Sequence, residues 1–360
     1  MTETRFSNNF DFLRIIAALM VLIYHSYALL QLGDGDPLHC VTGAMNFGAL
    51  GVSIFFVISG FLITKSWLSH PSVVRFYWNR LLRIVPGLLG VALFTVFIVG
   101  PIVTSLPLMD YWVSSETWNY FRVVTIIGIF PHTPNLPGVF AFNPYPDAVN
   151  GSLWTLPVEF SMYVVISILG LLKLLTRRNC LLVGTVAFAI VYFIFTQMNV
   201  LPPIYTSTLG YQLLFLIGSL YYLFNNEIIY KPKYLLVVSA IWIASFQTAV
   251  FYLASLLCLP YMILCFAHVS IPYICNISKY GDFSYGVYIY AFLIQQTLID
   301  IFESMSPLKL VLLSSIGTLM CAALSWTVIE SKALKLKKIN ILNELKHLEA
   351  TWHRTIFKRS

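Results

Sequence analysis

His25 is the side chain best placed for proton transfer, because it lies in the upper part of an apolar run, Phe10 to Leu30, built mainly of Ile, Leu, Val, Ala and Met. Eleven helical steps separate it from Arg14, which puts both on one face within about 20° of each other and about 16 Å apart along the axis. Asp11 lies at i−3 from Arg14 and can neutralise it. A packing role for His25, as a hydrogen-bond partner of a neighbouring helix, is one reading. An intramembrane imidazole that shares its face with a guanidinium points instead to a functional site, with His25 as general base.

Three further groups could join it. Asn150-Gly151-Ser152-Leu153-Trp154-Thr155-Leu156-Pro157-Val158-Glu159 opens an apolar run and places Glu159 about two turns into it, at roughly the height of His25. A carboxylate at that depth is protonated, paired or functional, and a His25–Glu159 couple would fix the tautomer and stabilise the imidazolium. Arg80 and Arg83, spaced i, i+3, aim two guanidinium groups in one direction, either as phosphate ligands or as anchors on the cytoplasmic side. Gly48, Gly51 and Ser59-Gly60 allow close backbone approach to a helix or a ligand, with a kink at Ser59-Gly60 as the alternative. The six cysteines make no Cys-x-x-Cys or Cys/His spacing, so no metal site and no disulfide framework is expected.

The elements that must position these groups are membrane helices. At 58% hydrophobic, 10% charged and a mean hydropathy of +0.79, the 360 residues exclude a soluble globular protein. The fold expected is an all-α polytopic membrane protein of about ten transmembrane helices, at 10–30, 46–66, 81–104, 152–173, 181–197, 207–224, 234–248, 250–268, 283–303 and 308–329. The seventh and eighth share barely thirty residues, so both must be short or broken. The first is read as an uncleaved helix, since no small-residue cleavage site follows it. Lys65, Arg75, Arg80 and Arg83, then Lys173, Arg177 and Arg178, then Lys231 and Lys233, Lys279, and finally Lys332, Lys335, Lys337 and Lys338 all fall on one side. That side is cytoplasmic and holds both termini, with Arg14 near it and His25 near the opposite face. The net charge of +7 belongs to these loops and implies no nucleic-acid partner. Residues 105–150 form a long outer connection rich in proline and aromatic residues, with a short interfacial helix expected over Tyr120 to Phe130. The chain divides into a transmembrane domain, 1–335, and a basic amphipathic tail, 336–360, on the anionic cytoplasmic leaflet.

Arg14-x10-His25, Phe55-Phe56-x-x-Ser59-Gly60-Phe61-Leu62-Ile63, Arg80-x-x-Arg83 followed by Pro86, and Ser152-Leu153-Trp154 with Glu159 together resemble the acyltransferase-3 family of membrane O-acyltransferases. The likeness runs from about residue 7 to 335. It implies transfer of an acyl group, acetyl above all, from cytoplasmic acyl-CoA to a hydroxyl of a cell-surface carbohydrate, such as lipopolysaccharide or exopolysaccharide, at the outer side of the bacterial inner membrane. Acyl-CoA is then a co-substrate and no cofactor is permanently bound. The resemblance assigns His25 and Glu159 to catalysis, Arg14, Arg80, Arg83, Ser59 and Gly60 to the acyl-CoA, and Ser152 and Trp154 to the acceptor. Ser284-Tyr285-Gly286-Val287-Tyr288-Ile289-Tyr290-Ala291 also resembles a family segment, but Ala291 stands where many members carry histidine, so no role of that histidine transfers. Oligomerisation is left open. The rival readings are a proton-coupled transporter or flippase, against which no inverted repeat is visible, and a non-catalytic subunit of a polysaccharide assembly system.

Overall fold

The computed structural model describes residues 9–125, 133–269, 281–302 and 304–338. These form ten main helices: α1 Phe10–Ala28, α2 Phe47–Ser69, α3 Val73–Val103, α4 Gly151–Leu171, α5 Arg178–Gln197, α6 Pro203–Leu223, α7 Pro232–Ala244, α8 Phe251–His268, α9 Ser284–Ile301 and α10 Pro307–Lys335. Each of the ten apolar runs of the sequence corresponds to one of them. Seven are both long and apolar enough to cross a membrane, namely α1 to α5, α8 and α10. Helices α6 and α9 have 21 and 18 residues but carry more polar side chains. The 13 residues of α7 extend only about 20 Å, short of the roughly 30 Å hydrocarbon core, in line with the crowding expected there. Among the described residues there is no strand, and a lone antiparallel bridge joins Thr104 to Val139.

Helix starts are set locally. The Asn46 side chain caps α2 by accepting from Ala49 N–H at 2.8 Å, and Ser72 caps α3 by accepting from Arg75 N–H. Asn9, ahead of α1, is fully buried, and its amide donates to the carbonyls of Phe266 and Val269, tying the start of α1 to the end of α8. Pro86 inside α3 is tolerated, and both α3 and α10 carry one π-helical turn, Thr95–Val99 and Trp326–Glu330.

Helices α2 and α9 are the most enclosed, with α1 packed on both, α6 and α8 flanking α2, and α10 flanking α9. The small residues of α2 make this possible. A methyl placed on Gly51 would meet the Ala17 carbonyl of α1, and one on Gly60 would overlap the Phe215 carbonyl of α6. Helix α2 runs without a break through Ser59-Gly60, where Gly60 packs against the Phe215 carbonyl. At the periphery, α5 buries only Leu181 and Thr185 and leaves Val183, Val186, Ile190 and Ile194 exposed, a face suited to lipid.

The connection after α3 folds back on the bundle. Short helices Leu108–Val113 and Ser115–Asn119 lead into a 3₁₀ turn, Tyr120–Thr125, and the buried Tyr111 hydroxyl donates to the Val96 carbonyl at 2.9 Å. The interfacial helix expected over Tyr120 to Phe130 is therefore a 3₁₀ turn in its first six residues, and the rest lies outside the described residues. The amphipathic tail likewise lies outside them beyond Lys338, as does Lys279.

Candidate active site

Two polar clusters occupy opposite ends of the α1–α2–α9 core. At the Arg14 end, Asp282, just ahead of α9, is the hub. Its Oδ2 accepts from Arg14 Nη1 at 3.2 Å and from Arg83 Nη2 at 2.6 Å, and its Oδ1 accepts from the Ser284 hydroxyl at 2.6 Å. Burial would raise this carboxyl, but the two guanidinium groups and the Ser284 contacts outweigh it and hold the pKa near about 2. Asp282 is therefore an anion at every physiological pH.

Arg80 shares the cluster but not the carboxylate. Its guanidinium stands over the rings of Phe76 and Tyr163, at 5.4 and 5.9 Å, its Nε is buried with no hydrogen-bond partner, and it forms no ion pair among the described residues. Arg83 also lies over the Tyr285 ring at 5.4 Å. Lys337 joins this group from the turn after α10. Although its chain is exposed, crowding by the surrounding protein and the charges of Arg83 and Arg80 lower it to about 8.

From this mouth a narrow chamber of about 50 Å³ leads inward, walled by Arg14, Phe55, Ser59, Thr155, Glu159 and Tyr288 among others. The Ser59 hydroxyl donates to Glu159 Oε1 at 2.6 Å. Above it the Thr155 and Tyr288 hydroxyls are 2.5 Å apart, and Tyr288 donates to the Ser152 carbonyl at 2.9 Å. The Ser152 hydroxyl is 3.5 Å from Nδ1 of His25. Guanidinium, carboxylate, hydroxyls and imidazole thus follow one another through an otherwise apolar interior.

His25 is held by packing as much as by polar contact. The Phe292 ring of α9 meets its ring edge to face at 5.1 Å, and Tyr24 lies at 5.5 Å. Gln295, buried one turn further along α9, donates to the Leu22 carbonyl at 2.7 Å and the Ser26 hydroxyl at 2.6 Å, fixing α1 against α9 beside the imidazole. Asn150 donates to the Ile289 carbonyl and so docks the start of α4 on the same helix.

The structure therefore brings Arg14, Arg80 and Arg83 to one mouth, and Ser152 to His25. It does not bring Glu159 to His25: the carboxylate turns to Ser59, and no ion pair includes the imidazole among the described residues. Arg14 forms its ion pair with Asp282, and Asp11 at i−3 is a second, weaker charge in its favour. Ser59 lines the chamber while Gly60, on the other side of α2, faces α6. Trp154 turns to Tyr211 of α6, with ring centres 6.1 Å apart, and stands outside the chamber wall. Tyr288 falls in the family-like Ser284–Ala291 segment, whereas Asp282, Phe292 and Gln295 are not among the residues the sequence singles out. Asp282 is open to notice as a carboxylate just ahead of an apolar run, while Phe292 and Gln295 read as ordinary helix residues.

Fold and site together define a multi-pass membrane protein with a cation-lined mouth below a half-buried histidine. The chain belongs to the acyltransferase-3 family: the family's profile, described as an acyltransferase domain, matches residues 7–329. It is therefore a membrane acyltransferase. It is 29% identical to an O-acetyl transferase of Shigella phage Sf6 over 352 residues, 91% of this chain and 96% of that one. It is 30% identical to nodulation protein 10 of Rhizobium leguminosarum bv. viciae over 354 residues, 92% and 94% of the two chains. A putative membrane-bound transacylase of Komagataeibacter xylinus is 27% identical over 192 residues, 49% of this chain and 40% of that one. No solved structure matches.

Proposed function

We propose that this protein transfers an acyl group, acetyl in the simplest case, from cytoplasmic acyl-CoA to a hydroxyl of a cell-surface carbohydrate or its lipid-linked precursor at the outer side of the bacterial inner membrane. The basic loops support a cytoplasmic Arg14 end, and with it a topology of ten crossings that keeps both termini inside. The observation that supports the reading is the order of polar groups between the two ends: three arginines at one mouth, a chamber lined by Arg14, Ser59, Glu159, Thr155 and Tyr288, and Ser152 beside His25 beyond it. Against the transporter reading stand the family match and the relative named an O-acetyl transferase.

The donor is bound first by charge. Arg80, with no carboxylate of its own, takes a CoA phosphate through a planar fork, and Arg83 and Arg14 reach a second phosphate once they leave Asp282. At about 50 Å³ the chamber admits a water or two and no pantetheine arm, so donor binding has to part α2 from α9 along the Ser59–Tyr288 wall. The thioester then arrives below His25, with Glu159 and the hydroxyls of Ser59 and Tyr288 alongside the arm.

For the chemistry, Ser152 accepts from Nδ1–H, which leaves Nε2 with a free lone pair. Nε2 takes the proton of the acceptor hydroxyl as its oxygen attacks the thioester carbonyl. The tetrahedral intermediate collapses by breaking the C–S bond, the imidazolium returns the proton to sulfur, and free CoA leaves towards the cytoplasm. The 3.5 Å separation of Ser152 and His25 is long for a working contact and is expected to tighten once substrates fill the site.

The direct test is donor binding. Arg80→Ala should weaken acetyl-CoA binding to purified protein roughly tenfold or more, with Arg80→Lys recovering only part of it, because a point charge lacks the fork. Unchanged affinity in calorimetry would reduce Arg80 to a topological anchor.

A further inference from the structure

Phe142 carries the observation. It is 89% exposed, the most exposed of the large apolar side chains among the described residues, yet the loop that presents it is firmly tied down. Asn143 is buried, and its amide donates to both the carbonyl and the side-chain oxygen of Gln296 at 3.0 and 2.9 Å. Gln296 donates in turn to the carbonyls of Tyr145 and Ala148, and Gln31 donates to that of Pro144. Phe140 and Asp147 adopt left-handed backbone conformations on either side. An aromatic ring that an immobilised backbone holds clear of its own protein at one end of the bundle is suited to an outside partner, either the membrane interface or a ligand.

Behind the ring opens a cavity of about 760 Å³, within the size range of small-molecule sites. Phe142, Asn143 and Leu30 form part of one wall, Asp300 and Ile299 of α9 another, and Thr104 and Ser105 a third. It lies at the His25 end. Ile299 is two helical turns, about 10 Å, beyond Phe292, whose ring touches His25, and both belong to a small apolar cluster with Leu29 and Leu310 that parts the cavity from the imidazole.

We infer that this cavity is a subsite for a pyranose unit of the acceptor chain, next to the unit whose hydroxyl reaches His25. The inference rests on the acyltransferase reading above. A sugar ring has an apolar face of C–H groups, which fits a flat exposed aromatic, and a rim of hydroxyls, which fits a carboxylate and two alcohol side chains. Asp300 is the charged side chain among those lining the cavity and accepts hydroxyl donors, while the Lys309 ammonium at its edge is engaged by the Ser304 carbonyl and the Phe302 ring. Holding a neighbouring unit supplies binding energy remote from the reacting bond and fixes which hydroxyl is presented.

The test has two arms on the full chain in detergent. In the first, saturation-transfer NMR is recorded with the methyl glycosides of glucose, galactose, rhamnose and N-acetylglucosamine, using wild type, Phe142→Ala, Asp300→Asn and, as an exposed apolar control, Val113→Ala. Wild type and the control should saturate the ring protons of at least one glycoside, and the two cavity variants should lose most of that signal. No transfer to any glycoside, equal transfer in all proteins, or equal loss in the control overturns the subsite. In the second arm, Phe142→Ala and Asp300→Asn should raise the acceptor KM roughly tenfold with kcat and acetyl-CoA affinity unchanged, a size suited to one stacked ring. A fall in kcat or donor affinity, or an effect of Phe142→Ala confined to partition into liposomes, also overturns it. If wild type acylates no carbohydrate, the acyltransferase reading fails, while the binding arm still decides whether the cavity takes a sugar.

Discussion

The nearest polar neighbour of His25 is a hydroxyl, and the carboxylate of this region is directed elsewhere, so two residues that looked like one couple should separate in kinetics. His25→Ala removes the group that takes the proton and should lower kcat by at least about 10² while donor affinity persists, since general-base catalysis is worth roughly 10²- to 10⁴-fold. Glu159→Gln keeps the shape of the chamber and its contact with Ser59 but removes charge beside the donor arm, so it should change the donor KM far more than kcat. Equal losses of kcat in both variants would restore the couple. Glu159 does not share the height of His25 that the sequence predicts: Ser152, seven residues or about 10 Å earlier on α4, stands beside the imidazole, while Glu159 lines the chamber with Arg14. The depth at which α4 sits is set by packing and not by the apolar run, since Asn150 on the Ile289 carbonyl and the Thr155–Tyr288 contact dock α4 on α9 and leave Glu159 against Ser59 of α2.

At the scale of elements, the apolar runs were legible because about 20 residues without charge have few alternatives to a helix. The hub of the cationic mouth was not, because Asp282 is 268 residues from Arg14 and 199 from Arg83, and nothing in either local pattern asks for it. Its placement makes α9 the element that holds α1 and α3 together at this end, and it makes the carboxylate a competitor of the donor's phosphates. Asp282→Asn should therefore raise acetyl-CoA affinity several-fold while lowering the thermal midpoint, since two guanidinium groups are left close together and partly buried. A fall in affinity would show that Asp282 organises the arginines for the donor instead of occupying them. The turn after α10 adds a pH dependence. Lys337 is lowered from its ordinary value to about 8, so it is a cation below that pH and neutral above it. Donor affinity should decline as pH rises through about 8, and Lys337→Ala should flatten that profile, whereas Asp282, ionised throughout, contributes no titration in the same range.

At the scale of the whole molecule, the separation of the two polar clusters along α1 sets the transfer problem. Arg14 and His25 lie on one face about 16 Å apart, which is the depth the donor arm has to cover if its phosphates stay at the arginines. The route is useful only if the two ends open to different compartments. Basic residues follow the ends of α2, α4, α6 and α10 on the Arg14 side, while the connections at the His25 end carry Asp34 and Asp36, the tied loop around Phe142, and the turn before α10. Single cysteines at positions 34 and 75, in a variant lacking the six native ones, test the assignment with a membrane-impermeant thiol reagent. Asp34 sits in an exposed turn after α1 and Arg75 is exposed in the first turn of α3, so neither substitution disturbs the core and both sites are accessible to the reagent. Position 34 should label in intact cells, and position 75 only after the membrane is opened. Labelling of both from one side would place donor and acceptor mouths in the same compartment, and transfer across the membrane would have to be abandoned even with His25 kept as the base.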